Sequence, residues 1–275
     1  MPSDLHSLTS ADGAQLSVSL HGAHVCSWRT PDGVERLFLS PLTKWDGHAA
    51  IRGGIPVVFP QFSSRGPLPK HGFARNTQWA LIASEVRTNG EGFIHLTMQD
   101  STESRLQFPH KFTLDLHLTF SGTSLDTALF VTNTGAQAFD FTCALHTYLS
   151  TQIAQAAIHG LAQSRYENSL GDSALQFDSN RLLHINAEVD SLFFQVNTPV
   201  ALISDNSKMT MQQVGFSDVV VWNPWSEGSA AIADLEDDAY QHFVCIESAA
   251  VEQPVTLGAG LQWRGEQQLT VANVL

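Results

Sequence analysis

At 275 residues and 43% hydrophobic content, the chain is long enough to bury a substantial core without disulfides or metals, and antiparallel β domains reach this size as one unit, so a single domain over residues 1–275 is expected. A formal net charge of −13 at pH 7 excludes nucleic acid and anionic membrane as partners, because both attract a surface excess of Lys and Arg. Three scattered cysteines, Cys26, Cys143 and Cys245, exclude a disulfide framework, and the lack of a basic, apolar leader or of an apolar run near the roughly 18 residues of a membrane span adds to the expectation of a cytoplasmic protein.

Period-two alternation of apolar and polar residues dominates the chain, the pattern of strands with one buried face. In order, strands are predicted at Gln15–Leu20, Val25–Arg29, Leu37–Ser40, Trp79–Val86 and Phe93–Gln99. The plainest case follows, where Phe112, Leu114, Leu116, Leu118 and Phe120 alternate with Thr113, Asp115, His117 and Thr119. Ser121-Gly122-Thr123-Ser124 then turns the chain into a return strand over Leu125–Thr132, which predicts a hairpin. Further strands are expected at Phe139–Ala144, Val200–Ser204, Val219–Trp222, Phe243–Glu247 and Gln268–Val271. No segment keeps a 3.6-residue apolar stripe through three turns, and only Gln152–Ala157 suggests a short helix. The fold class is therefore all-β, a large antiparallel sandwich or barrel without internal repeats.

One stretch differs in chemistry from the rest. Between Gly47 and Ser84 there is no Asp or Glu, while Arg52, Arg65, Lys70 and Arg75 all lie inside it. In a chain whose overall field repels anions, short-range capture of a small anion needs such a basic island; a solvated loop is the other reading of the same charges. Within the island, residues 51 to 79 read IRGGIPVVFPQFSSRGPLPKHGFARNTQW. Gly53-Gly54 opens backbone geometries closed to other residues, and Pro56, Pro60, Pro67 and Pro69 stiffen the chain, so basic side chains are held with little freedom. Arg-Gly-Gly-Ile-Pro, then Phe-Pro-Gln-Phe, then Leu-Pro-Lys-His-Gly-Phe-Ala-Arg with a Trp four residues later resembles the glucose-6-phosphate 1-epimerases of the aldose 1-epimerase superfamily. Three later blocks fit in order: Ala144-Leu145-His146-Thr147-Tyr148, Val189-Asp190-Ser191-Leu192-Phe193, and Val221-Trp222-Asn223-Pro224-Trp225 leading to Cys245-Ile246-Glu247.

The resemblance implies a galactose mutarotase-like β-supersandwich of large antiparallel sheets with its site in a concave groove. It implies an isomerase that interconverts the α and β anomers of glucose 6-phosphate and related hexose 6-phosphates, with no cofactor and no metal. By motif position, His146 resembles the general acid and Glu247 the general base. Arg52, Lys70 and Arg75 fall where the family contacts substrate, and Asp190 where it binds a sugar hydroxyl. His71 either binds the sugar or braces its loop. The reaction asks for little more: a proton leaves the C1 hydroxyl, another reaches the ring oxygen, the ring opens, the carbonyl presents its other face, and the ring recloses. A carboxylate with a reference pKa of about 4.3 and an imidazole near about 6.5 are expected to need only modest tuning for this. Arg52 and Arg75 are expected to grip the phosphate, with Lys70 as a third cation, because Arg forks bind phosphate oxygens in pairs. The alternatives are a mutarotase for unphosphorylated aldoses and a non-catalytic sugar-phosphate-binding protein. No oligomerisation signature is evident, so a monomer or weak homodimer is expected.

Other residues draw attention and are read as structural. Arg65, between Ser64 and Gly66, is expected to be solvated surface. Asp234 and the run Glu236-Asp237-Asp238 fit no calcium-loop spacing and are read as a solvated acidic loop. His21 and His24, three apart, would face opposite sides of a strand, which argues against zinc. Trp222 and Trp225 either line a sugar groove or pack in the core. Two positions depart from the family pattern: Ser191 stands after Asp190 where Arg is common, and Ser248 after Glu247 where Pro is common. The second departure is expected to loosen the strand end.

Overall fold

The alternating segment Phe112–Phe120 forms a nine-residue strand whose five apolar side chains are fully buried. At about 1.5 to 3 kcal/mol per buried side chain, that face alone contributes on the order of 10 kcal/mol, an upper figure because the unfolded chain already hides part of it. The computed structural model describes residues 5–171, 175, 177–204 and 207–273. In chain order the strands are β1 (Leu5–Thr9), β2 (Gln15–Ser19), β3 (His24–Arg29), β4 (Val57–Val58), β5 (Ala80–Val86), β6 (Gly92–Gln99), β7 (Phe112–Phe120), β8 (Ser124–Asn133) and β9 (Phe139–Leu145). They continue as β10 (Tyr148–Ser150), β11 (Ala157–His159), β12 (Tyr166–Asn168), β13 (Val189–Phe193), β14 (Val200–Ile203), β15 (Ser207–Val214), β16 (Asp218–Asn223), β17 (Phe243–Leu257) and β18 (Gln262–Asn273).

Two large sheets hold most of these strands. One has eight, in the order β11-β14-β15-β18-β8-β7-β6-β5. The other has seven, in the order β12-β13-β16-β17-β9-β4, with β10 also beside β17. Pairing within both is antiparallel, and β1 to β3 form a separate small sheet. A continuous apolar cluster fills the space between the large sheets, joining Leu116, Leu118 and Leu129 of the first to Val219, Val221, Val244 and Ile246 of the second. The opposite face of the seven-stranded sheet carries smaller clusters, one around Ala144, Leu192 and Val220 and one around Tyr148, Phe243 and Cys245. Between those two patches Trp222 packs against both, and the rest of the face there carries polar side chains.

The all-β expectation holds, and so does the hairpin, whose turn is closed by Ser121 N–H donating to Ser124 O at 2.9 Å. Several local expectations need correction. Leu37–Ser40 forms no strand, only isolated bridges from Leu37 to Leu149 and from Leu39 to Gly53. Gln152–Ala157 is not an α-helix but a single 3-10 turn over Ile153–Gln155. Two short helices arise elsewhere, α1 (Thr102–Gln107) and α2 (Trp225–Ala231). Ser101 starts α1 through a capping box with Ser104, which compensates a helix too short to show an apolar stripe. No helix among the described residues is long and apolar enough to cross a membrane. Ser248 loosens no strand end, because β17 continues through it to Leu257.

Candidate active site

Register brings the two proposed proton carriers together. Leu145 pairs with Ser248 and Tyr148 with Cys245, and the same register carried through the residues between them sets His146 opposite Glu247. At that point the ladder is interrupted by a tight turn, in which Thr147 N–H bends back to Leu145 O at 2.9 Å while His146 N–H donates to Pro56 O at 3.0 Å. The spacing of two, with the register unbroken across the interruption, leaves both His146 and Tyr148 facing the groove. Thr147 turns the other way, its hydroxyl donating to Gln267 Oε1 of β18 at 2.6 Å. Further along the sheet Val220 lies opposite Glu247, Trp222 opposite Cys245, and Asp190 opposite Trp222. Four neighbouring strand segments therefore present His146, Glu247, Trp222 and Asp190 on one face.

The basic loop folds over this face as a wall. Gly54 sits at φ +61°, where a Cβ would lie 2.1 Å from Val25 O, and Gly72 at φ +68°, where one would lie 2.2 Å from Phe59 O; both positions accept only glycine. Gln61 braces the segment from inside, donating to Ser63 O and Leu68 O and accepting from Leu68 N–H. His71, at φ +68°, accepts from Ser63 N–H at 3.3 Å and stands edge-on to His146 with ring centroids 5.5 Å apart. Arg52, Lys70, His71, Arg75, His146, Asp190 and Glu247 all line one cavity of about 230 Å³. The seven residues singled out in the sequence thus meet in one place.

Its charges are unevenly compensated. Arg52 donates from Nε to Asp234 Oδ1 at 3.0 Å and from Nη1 to the Tyr148 hydroxyl at 3.2 Å. Burial works against its charge, but the Tyr148 and Asp234 partners outweigh it and hold the guanidinium more firmly protonated than usual. Arg75 has no such carboxylate partner among the described residues: Nη2 donates to Lys70 O at 3.0 Å and Nε is buried without a partner. Burial pulls its pKa down, the mark of a cation short of a counter-charge. Burial, followed by the field of Arg75, pushes His71 down to about 3.

Nδ1 of His146 lies 3.1 Å from Oε1 of Glu247 but without hydrogen-bond alignment, and that Nδ1 and Oε2 of Glu247 are buried without partners. Glu247 is 1% exposed and His146 9%. Burial drives the imidazole well below its usual range, with His71 adding to the effect, and drives the Glu247 carboxyl well above its own, with Asp190 adding. The expectation of modest tuning is therefore not met: burial makes both groups favour their neutral forms. Asp190 is also raised by burial, against the pull of the Ser169 hydroxyl and Lys70.

Sequence reasoning missed two neighbours. Asp234, read as solvated, is half-buried and bonded to Arg52; Glu236, Asp237 and Asp238 around it are exposed as expected. Tyr148 stood in a quoted motif with no role, although its spacing of two from His146 on a strand was a usable signal. Trp222 lines the cavity, whereas Trp225 packs against the core and Tyr240. Arg65 is exposed and paired with Glu167 at 2.6 Å. His21 bonds Ala49 O and His24 is packed beneath Gly54, so neither joins the site. His146, Cys245 and Glu247 do bring potential metal-ligand atoms within 4.8 Å of one another, but the Cys245 thiol is packed among Tyr148, Phe243 and Leu235 and burial pushes it up, away from the ligating thiolate. A larger cleft, about 740 Å³, opens near His159, Arg181 and Lys208, but no carboxylate among the described residues lines it to complete a proton-transfer pair.

Comparison with known proteins gives the family and the fold. The aldose 1-epimerase family matches residues 4–270, and the chain belongs to that family. A relative from Cenchrus ciliaris named "Putative glucose-6-phosphate 1-epimerase" is 33% identical over 263 residues, covering 92% of this chain and 80% of the relative. A relative of the same name from Escherichia coli (strain K12) is 31% identical over 239 residues, or 85% of this chain and 79% of the relative. The crystal structure of a "putative mutarotase" from Salmonella typhimurium matches with a TM-score of 0.89 at 27% identity, over 98% of this chain and 90% of that one. A galactose mutarotase related enzyme from Lactobacillus acidophilus, 17% identical, shares the fold at a TM-score of 0.72 over 98% of this chain and 97% of that one. The chain is thus an epimerase-family protein with the mutarotase-like supersandwich fold.

Proposed function

We propose that the chain is a hexose-6-phosphate mutarotase, with glucose 6-phosphate as its principal substrate class. The observation that carries the reading is the buried His146–Glu247 pair, 3.1 Å apart, in a cavity that also holds Arg75 and Lys70 without carboxylate partners among the described residues. The phosphate belongs with Arg75, Lys70 and the free end of Arg52, where it supplies the missing negative charge. Asp190 holds a ring hydroxyl. His146 delivers a proton to the ring oxygen and Glu247 removes the one on the C1 hydroxyl, so the proton count of the pair is the same after ring opening as before it. Reclosure on the other carbonyl face runs the same transfers backwards.

Substrate binding also prepares the pair. Burial favours the protonated form of Glu247. A bound sugar hydroxyl donates to that carboxylate and stabilises its charged form, while the phosphate dianion favours a charged imidazole, so the proton passes to His146 as the cavity fills. Exchange between the anomeric proton signals of glucose 6-phosphate, followed by NMR saturation transfer, tests the function. Acceleration with the 6-phosphate and near-background exchange with free glucose is the expected result. Equal acceleration of both sugars makes the protein a mutarotase for unphosphorylated aldoses, and none with either makes it a sugar-phosphate-binding protein without catalysis.

A further inference from the structure

The plane of the His146 ring is held by few contacts. Its Nδ1 has no hydrogen bond, and His71 and Trp222 meet it only edge-on, at ring-centroid distances of 5.5 and 6.0 Å. Among the described residues the one parallel contact comes from Tyr148, whose ring stacks on the imidazole at 4.9 Å with an interplanar angle of 11°. Tyr148 is itself immobilised. It is 2% exposed, packed against Phe243 at 5.2 Å, and its N–H donates to Gly54 O at 2.9 Å. Its hydroxyl accepts from Arg52 Nη1 at 3.2 Å, which with the Asp234 bond to Nε fixes the guanidinium plane. Burial raises the phenol pKa further, so the hydroxyl stays neutral at pH 7 and serves as an anchor.

Resting on the mutarotase reading, we propose that Tyr148 is a positioning residue that ties the two ends of the groove together, its ring setting the plane of His146 and its hydroxyl setting the guanidinium of Arg52. The two functions separate by substitution. Tyr148→Phe keeps the ring and loses the anchor; Tyr148→Leu loses both. With Asp234 still holding Nε, the loss of one charge-assisted hydrogen bond is expected to raise KM for glucose 6-phosphate about fivefold in Tyr148→Phe, with kcat within about twofold of wild type. Freeing the imidazole in Tyr148→Leu is expected to lower kcat as well, by about ten- to a hundredfold, as misplacement of a catalytic group does.

The experiment measures kcat and KM for both variants by NMR anomer exchange. It also measures calorimetric binding of 1,5-anhydroglucitol 6-phosphate, which cannot open, with melting curves to show that each variant folds. Support is a KM-only effect in Tyr148→Phe, matched by weaker binding of the anhydro sugar, together with a kcat effect in Tyr148→Leu. A fall in kcat with unchanged KM in Tyr148→Phe makes the hydroxyl a proton carrier and overturns the anchor. Wild-type kcat in Tyr148→Leu, or in Tyr148→Met if the leucine variant does not fold, overturns the ring's role. If the wild type exchanges no anomers the mutarotase reading fails, yet anhydro-sugar binding by wild type and Tyr148→Phe still decides the anchor: equal binding, or none by either, overturns it.

Discussion

The two faces of the seven-stranded sheet are made from alternate residues of the same strands and obey opposite rules. On β17, Val244 and Ile246 enter the apolar cluster between the sheets, while Glu247 lines the groove. Polar groups on the core side are few, and beside the site those next to His146 and Glu247 are bonded, whereas Ser191, next to Asp190, has a buried hydroxyl without a partner. Thr147 donates to Gln267 Oε1 at 2.6 Å, and Gln267 Nε2 donates to Ser248 Oγ at 3.1 Å. Thr147 and Ser248 are the chain neighbours of His146 and Glu247, so one fully buried glutamine holds the backbone of both proton carriers from behind. On the groove side, by contrast, buried polar atoms of His146, Glu247 and Arg75 are left without partners. Unmet hydrogen-bonding capacity in a buried pocket is costly unless a ligand meets it. A closed back and an open front divide stability from chemistry within one strand.

Substitution at Glu247 tests that division most strongly. Glu247→Gln keeps shape and removes the proton acceptor, and turnover is expected to fall by about 10² to 10⁴. The melting temperature should stay level or rise, since the change removes an ionisable group from a buried site. Kinetics and a thermal melt on the same sample check this, and a large loss of stability would mean that the groove face is also part of the scaffold.

The reciprocal change lies directly behind. Gln267→Leu leaves the Thr147 and Ser248 hydroxyls only their longer contacts, to Leu145 O at 3.3 Å and to Met211 Sδ at 3.6 Å, and buried hydroxyls without a good partner cost about 1 to 3 kcal/mol each. Denaturant unfolding is expected to show a loss of about 2 to 4 kcal/mol on that basis. Adding Thr147→Val and Ser248→Ala should restore most of it, because replacing all partners with apolar groups removes the unmet demand. Failure of the triple variant to recover would place the effect in packing.

The pH dependence of stability sharpens the comparison with a sign. His24 and His71 are both pushed down to about 3, chiefly by burial, so the unfolded chain binds protons at these residues before the folded one does. Their stabilising contribution is complete above pH 6.5 and is lost as pH falls from there toward 3. By pH 5 each accounts for about 1 to 2 kcal/mol. His146 acts in the same sense. Glu247, raised by burial, acts in the opposite one: its proton is bound more tightly in the folded chain, so stability falls as pH rises from about 4.5 through its folded pKa. His146 and Glu247 thus oppose each other, while His24 and His71 act together. Calorimetric melts at pH 7.5 and 5 should show a clear drop in wild type, a smaller drop in His71→Asn, and a larger one in Glu247→Gln. A flat wild-type profile would mean that these imidazoles reach water.

Much of the fold was legible because β7, β8 and their neighbours bury one face only, and a half-buried strand writes its period into the sequence. The strands that escaped have weaker signatures. β15 alternates methionine with polar residues, and β17 carries Pro254 beyond a register shift after Ala250, which reads as a strand end. In the site, the proton carriers were visible as polar residues in apolar strands and the cations as an island without acids. What the sequence could not state was register: that residue 146 faces residue 247 depends on how β9 and β10 align with β17. Asp234 was hidden for a simpler reason, since an acid next to an exposed acidic run looks like the run.

Asp234 supplies the smallest effect and the one with the least obvious sign. As a hydrogen-bond acceptor it orients Arg52, which favours phosphate binding; as a charge it competes with the phosphate for the same guanidinium. Asp234→Asn keeps the acceptor and removes the charge. At solvent-accessible dielectric the competing interaction is below about 1 kcal/mol, so KM for glucose 6-phosphate is expected to fall by about two- to fivefold. Asp234→Ala removes both, and with Arg52 left to Tyr148 alone KM should rise instead. Steady-state anomer exchange on the two variants reads the difference directly. A rise in both would show that the carboxylate's charge, and not only its geometry, is needed to hold Arg52 in place, whereas a fall in both would show that the partly compensated end of the groove weakens phosphate binding and that Arg75 and Lys70 carry it.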